Sequence, residues 1–396
     1  MARTPSPFLE RLSYGPLLCD GGMGTELYAR GISYEHCFEQ LNLTHPELIK
    51  AIHLDYVAAG AQVIETNTFG ANRYRLADHG LEQSVRKINR AGAKIAREVR
   101  ELSETPIFLA GNIGPIGRLL APLGDIELTE ARAAFLEQAE ALLESGVDLF
   151  LLETFSDLTE MREALAAVRS VTDLPIVALM SFAEDGTVAS GEEPWLIAKT
   201  MLEQGADVIG ANCATGPASM FDIVASMRQS TDKQVFVAAQ PNAGLPKRVG
   251  SRFMYGATPE YFATSTLRFL EAGIHLVGGC CGTTPQHIAA MSKVLLEYAP
   301  HVATQQTVLA EKVEQIRERR RDTSEESTIQ QAPTMFAQQL QDGHFVISVE
   351  MSPPRSVKFT RFLQNAATIA ECGADMINIT DNAMARVRMS NIAAAR

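Results

Sequence analysis

One pattern recurs along the first 300 or so residues and restricts the architecture more than any other feature. A helix-like stretch ends at a glycine, and a short β-type run follows at once. The runs are Gly60-Ala61-Gln62-Val63-Ile64-Glu65, Gly146-Val147-Asp148-Leu149-Phe150-Leu151-Leu152-Glu153, Gly205-Ala206-Asp207-Val208-Ile209-Gly210 and Gly273-Ile274-His275-Leu276-Val277. Glycine just past a helix takes the left-handed C-cap at little steric cost. The unbroken apolar run after it suits a strand covered on both faces, as in a parallel sheet. Four more strand candidates, at 17–20, 106–112, 175–182 and 234–241, bring the total to eight. Helical stretches follow them, at 46–59, 81–102, 129–145, 158–172, 194–204, 218–230 and 259–272, with Thr129 read as the N-cap of the third. Eight strand–helix units predict an α/β fold, a (β/α)8 TIM barrel over residues 1–302. A doubly wound open sheet is the competing architecture. It needs a glycine-rich phosphate loop after its first strand, and Asp20-Gly21-Gly22-Met23-Gly24-Thr25 lacks the full spacing.

The pattern then breaks and restarts. Residues 303–340 read as a linker: a charged helix at 309–317, then a polar stretch where Arg319-Arg320-Arg321 precedes Glu325-Glu326 as a solvated face. Residues 341–396 read as the first βαβ unit of a second, incomplete barrel. Its parts are a strand at 345–350, a rigid turn Met351-Ser352-Pro353-Pro354, a helix at 359–371 and a strand at 375–380. One such unit cannot bury its own faces, so it is expected to dock elsewhere or be poorly ordered.

A barrel of this kind carries its chemistry at the C-terminal ends of its strands. Those ends here hold Asp20, Glu65, Asn67, Asn112, Glu153, Ser181, Asn212, Cys213, Gln240, Asn242, Cys280 and Cys281, more polar groups than packing requires. A net charge of −12 disfavours nucleic acid and anionic membrane as partners. No apolar run approaches the ~18 residues of a membrane span. The first residues, Met1-Ala2-Arg3-Thr4-Pro5-Ser6-Pro7, lack the apolar core of a signal peptide, so the expected compartment is the cytoplasm. Cysteines there stay reduced, and clustered ones bind metal or act chemically.

Cys213, Cys280 and Cys281 form such a candidate cluster. Cys213 ends one apolar run, and the adjacent pair ends another, flanked by Gly278, Gly279 and Gly282. Three sulfur ligands on zinc leave a fourth position for a substrate. The spacing is unlike a zinc finger's, so the strand ends themselves would have to bring the ligands together. Two plainer readings stand beside this one: buried cysteines acting as small hydrophobes, and a vicinal Cys280–Cys281 disulfide. Cys19, Cys37 and Cys372 lack comparable surroundings and are read as packing residues. A three-sulfur zinc suits a thiol substrate, which loses its proton there and attacks carbon, making the reaction an alkyl transfer.

Taken together, Asp20-Gly21-Gly22-Met23-Gly24-Thr25, Glu65-Thr66-Asn67-Thr68-Phe69, Gly111-Asn112-Ile113-Gly114-Pro115, Glu153-Thr154, Gly210-Ala211-Asn212-Cys213, Gln240-Pro241-Asn242-Ala243-Gly244 and Gly278-Gly279-Cys280-Cys281-Gly282 resemble the homocysteine S-methyltransferase family. The tail, through Val349-Glu350-Met351-Ser352-Pro353-Pro354 and Ile379-Thr380-Asp381, resembles the start of methylenetetrahydrofolate reductase. The order is thus similar to that of bifunctional homocysteine methyltransferase/methylenetetrahydrofolate reductase proteins. The resemblance implies Zn2+ on Cys213, Cys280 and Cys281 holding the homocysteine sulfur. It implies Asp20 and Glu153 at the amino group, and backbone N–H groups of Gly21 and Gly22 at the carboxylate. Asn242 and Asn212 would support the metal shell or hold a resting-state ligand. In the tail, Glu350 matches a proton-transfer acid and Thr380 a flavin contact. FAD belongs to the complete reductase and is expected not to bind this chain.

The implied reaction methylates homocysteine to methionine. The donor is open between methyltetrahydrofolate, a methylcorrinoid protein, S-methylmethionine and betaine, and the oligomeric state is unread. The alternative from another class is a thiol-based metal-binding or redox module without methyltransferase turnover. His275 is read as structural, and Trp195 as a helix-packing residue or part of a cage for a cationic methyl group.

Overall fold

The apolar runs become the staves of one parallel sheet. In the computed structural model the described residues are 6–183, 185–232, 234–249, 252–298, 347–351, 360–372, 374 and 376–379. They fall into two compact units, within Met1–Ala310 and within Glu311–Arg396. In the first unit the staves are β1 (Leu17–Leu18), β2 (Val63–Glu65), β3 (Phe108–Ile113), β4 (Leu149–Phe155), β5 (Ile176–Met180), β6 (Val208–Asn212) and β7 (Phe236–Gln240). A short antiparallel hairpin of β8 (Lys247–Val249) and β9 (Arg252–Met254) precedes the last stave, β10 (Leu276–Val277). The staves pair in the order β1-β10-β7-β6-β5-β4-β3-β2. The two ends of that order also meet: Cys19 bridges Val63, Gln62 N donates to Leu18 O at 2.7 Å and Asp20 N to Val63 O at 3.0 Å. This is the (β/α)8 barrel that the repeat predicts.

The helices are α1 (Pro7–Ser13), α2 (Met23–Ala29), α3 (Leu41–Thr44), α4 (Pro46–Ala58), α5 (Arg73–Ala77), α6 (Val85–Leu102), α7 (Leu128–Leu143), α8 (Leu158–Arg169), α9 (Pro194–Glu203), α10 (Pro217–Gln229) and α11 (Pro259–Glu271), with a further helix at 285–298. Inward side chains such as Val63, Leu149, Val177, Val208 and Leu276 fill the barrel, and Phe8 and Leu12 of α1 join them. Phe8 packs edge-on to Phe108 at 5.5 Å, so α1 lies under the N-terminal rim. Among the described residues no helix is long and apolar enough to cross a membrane.

The four repeat glycines adopt the expected left-handed conformation, with φ of 105° at Gly60, 83° at Gly146, 96° at Gly205 and 77° at Gly273. The residue two places after each of them does a further job. Gln62 Oε1 accepts Leu18 N at 3.3 Å, and Asp148 Oδ2 accepts Leu109 N at 2.8 Å. Asp207 Oδ2 accepts Ile176 N at 2.9 Å, and His275 Nδ1 accepts Val237 N at 3.3 Å. Each acceptor thus takes a backbone N–H at the start of the preceding stave, which burial would otherwise leave without a partner. Arg100 and Arg169 in turn pair with Asp148 and Asp207. The staves are thus wired in twos, with the acceptor on the strand that the glycine pattern marks.

Some expectations are corrected. Helix α7 starts at Leu128 with Glu127 as its cap residue, so Thr129 lies inside the first turn. The Ala121 N–Ile126 O bond turns the chain just before it, and Glu127 N donates to Glu130 Oε2 at 3.1 Å. The stretch at 81–102 opens as a 3-10 turn, Glu82–Ser84, before α6. Cys372 is exposed and is not a packing residue. In the second unit β11 (Ser348–Met351) and β12 (Met376–Ile379) pair in parallel, with a helix, Thr360–Glu371, between them in sequence, as read from the sequence. The linker at 303–340 lies outside the described residues.

Removing an acceptor strands a buried N–H. Asp207→Ala also leaves Arg169 without that carboxylate, and is expected to lower stability by about 3 kcal/mol in urea unfolding. Gln62→Ala should cost about 1 kcal/mol. Burial, aided by Arg228, lowers the His275 pKa to about 4. Between about pH 6.5 and pH 4 the unfolded chain binds a proton there that the folded chain does not, so this contribution to stability falls as pH falls. His275→Gln keeps an acceptor and should remove up to about 2 kcal/mol of that pH dependence.

Candidate metal centre

Above the staves, a cleft of about 520 Å3 opens at the C-terminal rim. Two strand ends bring thiols to it. After Asn212 the backbone turns left-handed, with φ of 58° at Cys213 and 55° at Ala214, while Cys213 N stays bonded to Gln240 O at 3.1 Å. The segment after β10 is held from several sides. Cys280 N donates to Pro241 O at 2.9 Å and Cys281 N to Asn242 Oδ1 at 3.0 Å. Gly282 N donates to Thr25 Oγ1 at 3.1 Å, and Thr283 Oγ1 donates to Cys280 O at 2.6 Å. Gly22 packs so closely beneath that a Cβ would stand 2.7 Å from Cys280 O.

The result is three sulfurs within 4.8 Å of one another, with Cys213 Sγ and Cys281 Sγ 3.8 Å apart. A tetrahedral zinc with sulfur at about 2.3 Å sets its ligands about 3.8 Å apart, so the donor set and its spacing fit such an ion. All six cysteines are free thiols, so no Cys280–Cys281 disulfide is present. The thiols already share charge unevenly. Hydrogen bonds from Cys280 and Cys281 hold Cys213 well below the usual thiol range. The same sharing raises Cys280, and pushes Cys281 up to about 12.

Beside the sulfurs lie three carboxyls, Asp20 and Glu153 buried and Glu65 half-buried. Asp20 Oδ2 accepts Glu65 N at 3.0 Å. Glu65 accepts from Gln240 Nε2 at 2.8 Å and from Asn112 Nδ2 at 3.1 Å. Asn112 Nδ2 also donates to Glu153 Oε1 at 2.6 Å, and Asn212 Nδ2 donates to Glu153 Oε2 at 2.6 Å. Burial pushes Asp20 and Glu65 upward, and Glu153 to about 7. Among the described residues lining the cleft there is no lysine or arginine. An amino group is therefore the complement this corner lacks.

Asp20, Gly21, Gly22, Glu153 and the three cysteines all line the cleft. Gly22 N, however, is already bonded to Thr283 Oγ1 at 3.0 Å, so it is not a spare donor for a carboxylate. Asn242 does not line the cleft; its side chain holds Cys281 N. Trp195 is 48% exposed, bonds Glu193 and does not line the cleft, so it forms no cage there. Glu350 lies in β11 opposite Asn378. Thr380 lies outside the described residues. Sequence reading gave no role to Glu65, although Glu65-Thr66 repeats the Glu153-Thr154 dipeptide at another strand end. It also missed the aromatic rim of Tyr34, Phe38, Phe69 and Tyr255. Gly282 leaves room for Tyr255, since a Cβ there would meet that ring at 2.1 Å.

Comparison with known proteins adds the following. A family model described as homocysteine S-methyltransferase matches residues 17–295. The methionine synthase of Mycobacterium tuberculosis (strain ATCC 25618 / H37Rv) is 34% identical over 325 residues, covering 76% of this chain and 27% of that protein. The methionine synthase of Mycobacterium leprae (strain TN) is 36% identical over 295 residues, covering 71% and 24%. The chain thus spans about a quarter of the length of these relatives. Among solved structures, the metallated form of the homocysteine methyltransferase MmuM from Escherichia coli aligns with a TM-score of 0.61 at 24% identity, over 70% of this chain and 96% of that one. Its apo form gives 0.56 at 24% identity, over 71% and 96%. At this identity the likeness is one of fold.

The uneven sharing of charge is measurable in metal-free protein. Alkylation at Cys213, followed by mass spectrometry, should be nearly independent of pH through the neutral range, where an ordinary thiol gains about tenfold per pH unit. Cys280→Ser and Cys281→Ser should each restore part of that pH dependence.

Proposed function

The chain belongs to the homocysteine S-methyltransferase family, and from that premise we propose that its barrel methylates the sulfur of homocysteine to give methionine. The observation that carries this reading is the meeting, in one cleft, of three thiols within 4.8 Å and a buried carboxylate group without cations among the described lining residues. A substrate with a thiol at one end and an ammonium at the other matches both halves.

Cys213, Cys280 and Cys281 would hold Zn2+, whose chemistry when bound is to favour the thiolate form of a thiol substrate near neutral pH. Glu153 and Asp20 receive the ammonium group, and Asn112 fixes Glu153 from one side. The substrate carboxylate lies toward the Gly21 backbone, which lines the cleft. Asn242 keeps Cys281 in place through its backbone. Tyr34 and Tyr255 shield the reacting atoms from water. In the transfer the donor's bond to its methyl carbon breaks, a sulfur–methyl bond forms, and the thiol proton leaves to solvent. Methyltetrahydrofolate, a methylcorrinoid protein, S-methylmethionine and betaine all remain candidate donors.

We assign residues 1–302 to this barrel, 303–340 to a linker and 341–396 to the start of a methylenetetrahydrofolate reductase-like barrel. FAD binding, and the roles of Glu350 in proton transfer and Thr380 at the flavin, go with a complete reductase barrel. The free thiols suit the reducing cytoplasm.

The test is metal analysis joined to a donor screen. The purified chain should carry about one zinc, and should form methionine from homocysteine with one of the four donors. Cys280→Ala should lose both the metal and the activity. Turnover with no donor, together with a reversible disulfide among the three thiols, would favour the redox-module reading instead.

A further inference from the structure

Two strand ends in the cleft leave ordinary backbone geometry, and the carboxamide that ends β6 is bonded at the other of them. Strand β4 shifts register against β5 between Leu152 and Phe155, and within that irregularity Thr154 sits at φ 64°. A β-branched residue crowds its own backbone in the left-handed region, so its surroundings must hold it there. Asn212 supplies that hold. This last residue of β6 is fully buried. Its Oδ1 accepts Thr154 N at 2.7 Å, and its Nδ2 donates to Thr154 Oγ1 at 2.8 Å and to Glu153 Oε2 at 2.6 Å. Its contact with sulfur, to Cys280 Sγ, is longer at 3.8 Å. The carboxamide is therefore committed first to the Glu153-Thr154 corner and only second to the thiols. Neither leucine nor aspartate can replace it: one makes no hydrogen bond, and the other sets a second carboxylate against Glu153.

We propose that Asn212 is a positioning residue, which aims the Glu153 carboxylate at the substrate's amino group by holding Thr154 left-handed. This rests on the amino-group role given to Glu153 above. Asn112, bonded to Oε1, fixes one oxygen of that carboxylate, and Asn212 fixes the other oxygen together with the peptide that follows.

The test uses the full zinc-loaded chain, with Asn212→Ala, Thr154→Gly and the two combined. Asn212→Ala should raise KM for homocysteine about tenfold or more, with kcat changed less than about threefold and zinc retained. KM for the same thiol acid lacking its amino group should stay within about twofold. Thr154→Gly should recover much of the loss in the Asn212→Ala background, because glycine takes this φ without strain. An equal rise in KM for both thiols, loss of zinc, or no recovery in the double variant would each overturn the proposal. A crystal structure of Asn212→Ala decides separately from activity. Thr154 should leave the left-handed region and Glu153 should move, whereas an unchanged corner refutes the clamp. A wild-type chain that fails to methylate homocysteine counts instead against the functional reading.

Discussion

Three carboxyls crowd the mouth of the barrel with no lysine or arginine among the described lining residues, and carboxamides hold two of them, Glu65 and Glu153. The order of contacts is Gln240, Glu65, Asn112, Glu153, Asn212, so amide and acid alternate across strands β7, β2, β3, β4 and β6. Water would satisfy these oxygens in an open site, and a fixed cation would neutralise them. Carboxamide donors do something between the two: they satisfy the oxygens and favour the charged form against the burial that pushes these carboxyls upward. The corner therefore keeps its attraction for a cationic ligand group while its geometry is already set. Pre-set geometry of this kind lowers the ordering cost that a ligand would otherwise meet.

The thiols follow a parallel logic. Their placement depends on neighbouring residues more than on each other, since the Pro241 carbonyl and the side chains of Asn242, Thr25 and Thr283 each hold part of the segment that carries the adjacent pair. Close approach, rather than turn formation, is what small residues contribute beneath it: a side chain at Gly22 or Gly279 would collide with Cys280 O or with Thr283. Ordered backbone on both sides lets ligands from distant parts of the chain arrive at metal-ligand spacing with no bridging loop.

Much of this was legible in the amino-acid order because its signals are local. Glycine followed by an apolar run locates alternate staves, and cysteines at two such run ends locate the thiol centre. Other parts depend on contacts far apart in sequence. Nothing near Asn212 announces that it reaches Thr154, 58 residues away. Helix α1 carries a Pro at its start and Phe8 and Leu12 one turn apart, but its burial depends on an open barrel end that only the closed sheet creates. The β8–β9 hairpin did have a local mark, Gly250-Ser251 between two short runs, a pair suited to a tight hairpin turn. Thr129 has the better capping side chain in principle, yet the chain turns two residues earlier, and geometry outranks preference there.

The pairwise wiring of the staves sits on the rim opposite the chemistry. Gln62, Asp148, Asp207 and His275 complete the sheet's backbone bonding from below, whereas the thiols and carboxyls stand above. The same Gly-x-Asp spelling reappears as Gly373-Ala374-Asp375 ahead of β12. Foundation and workshop are thus separate storeys. Loops on the upper one, including the inserted hairpin that ends beside Tyr255, are free to be exchanged, lengthened or recharged to suit a different ligand. The masonry holding the walls together would not register the change.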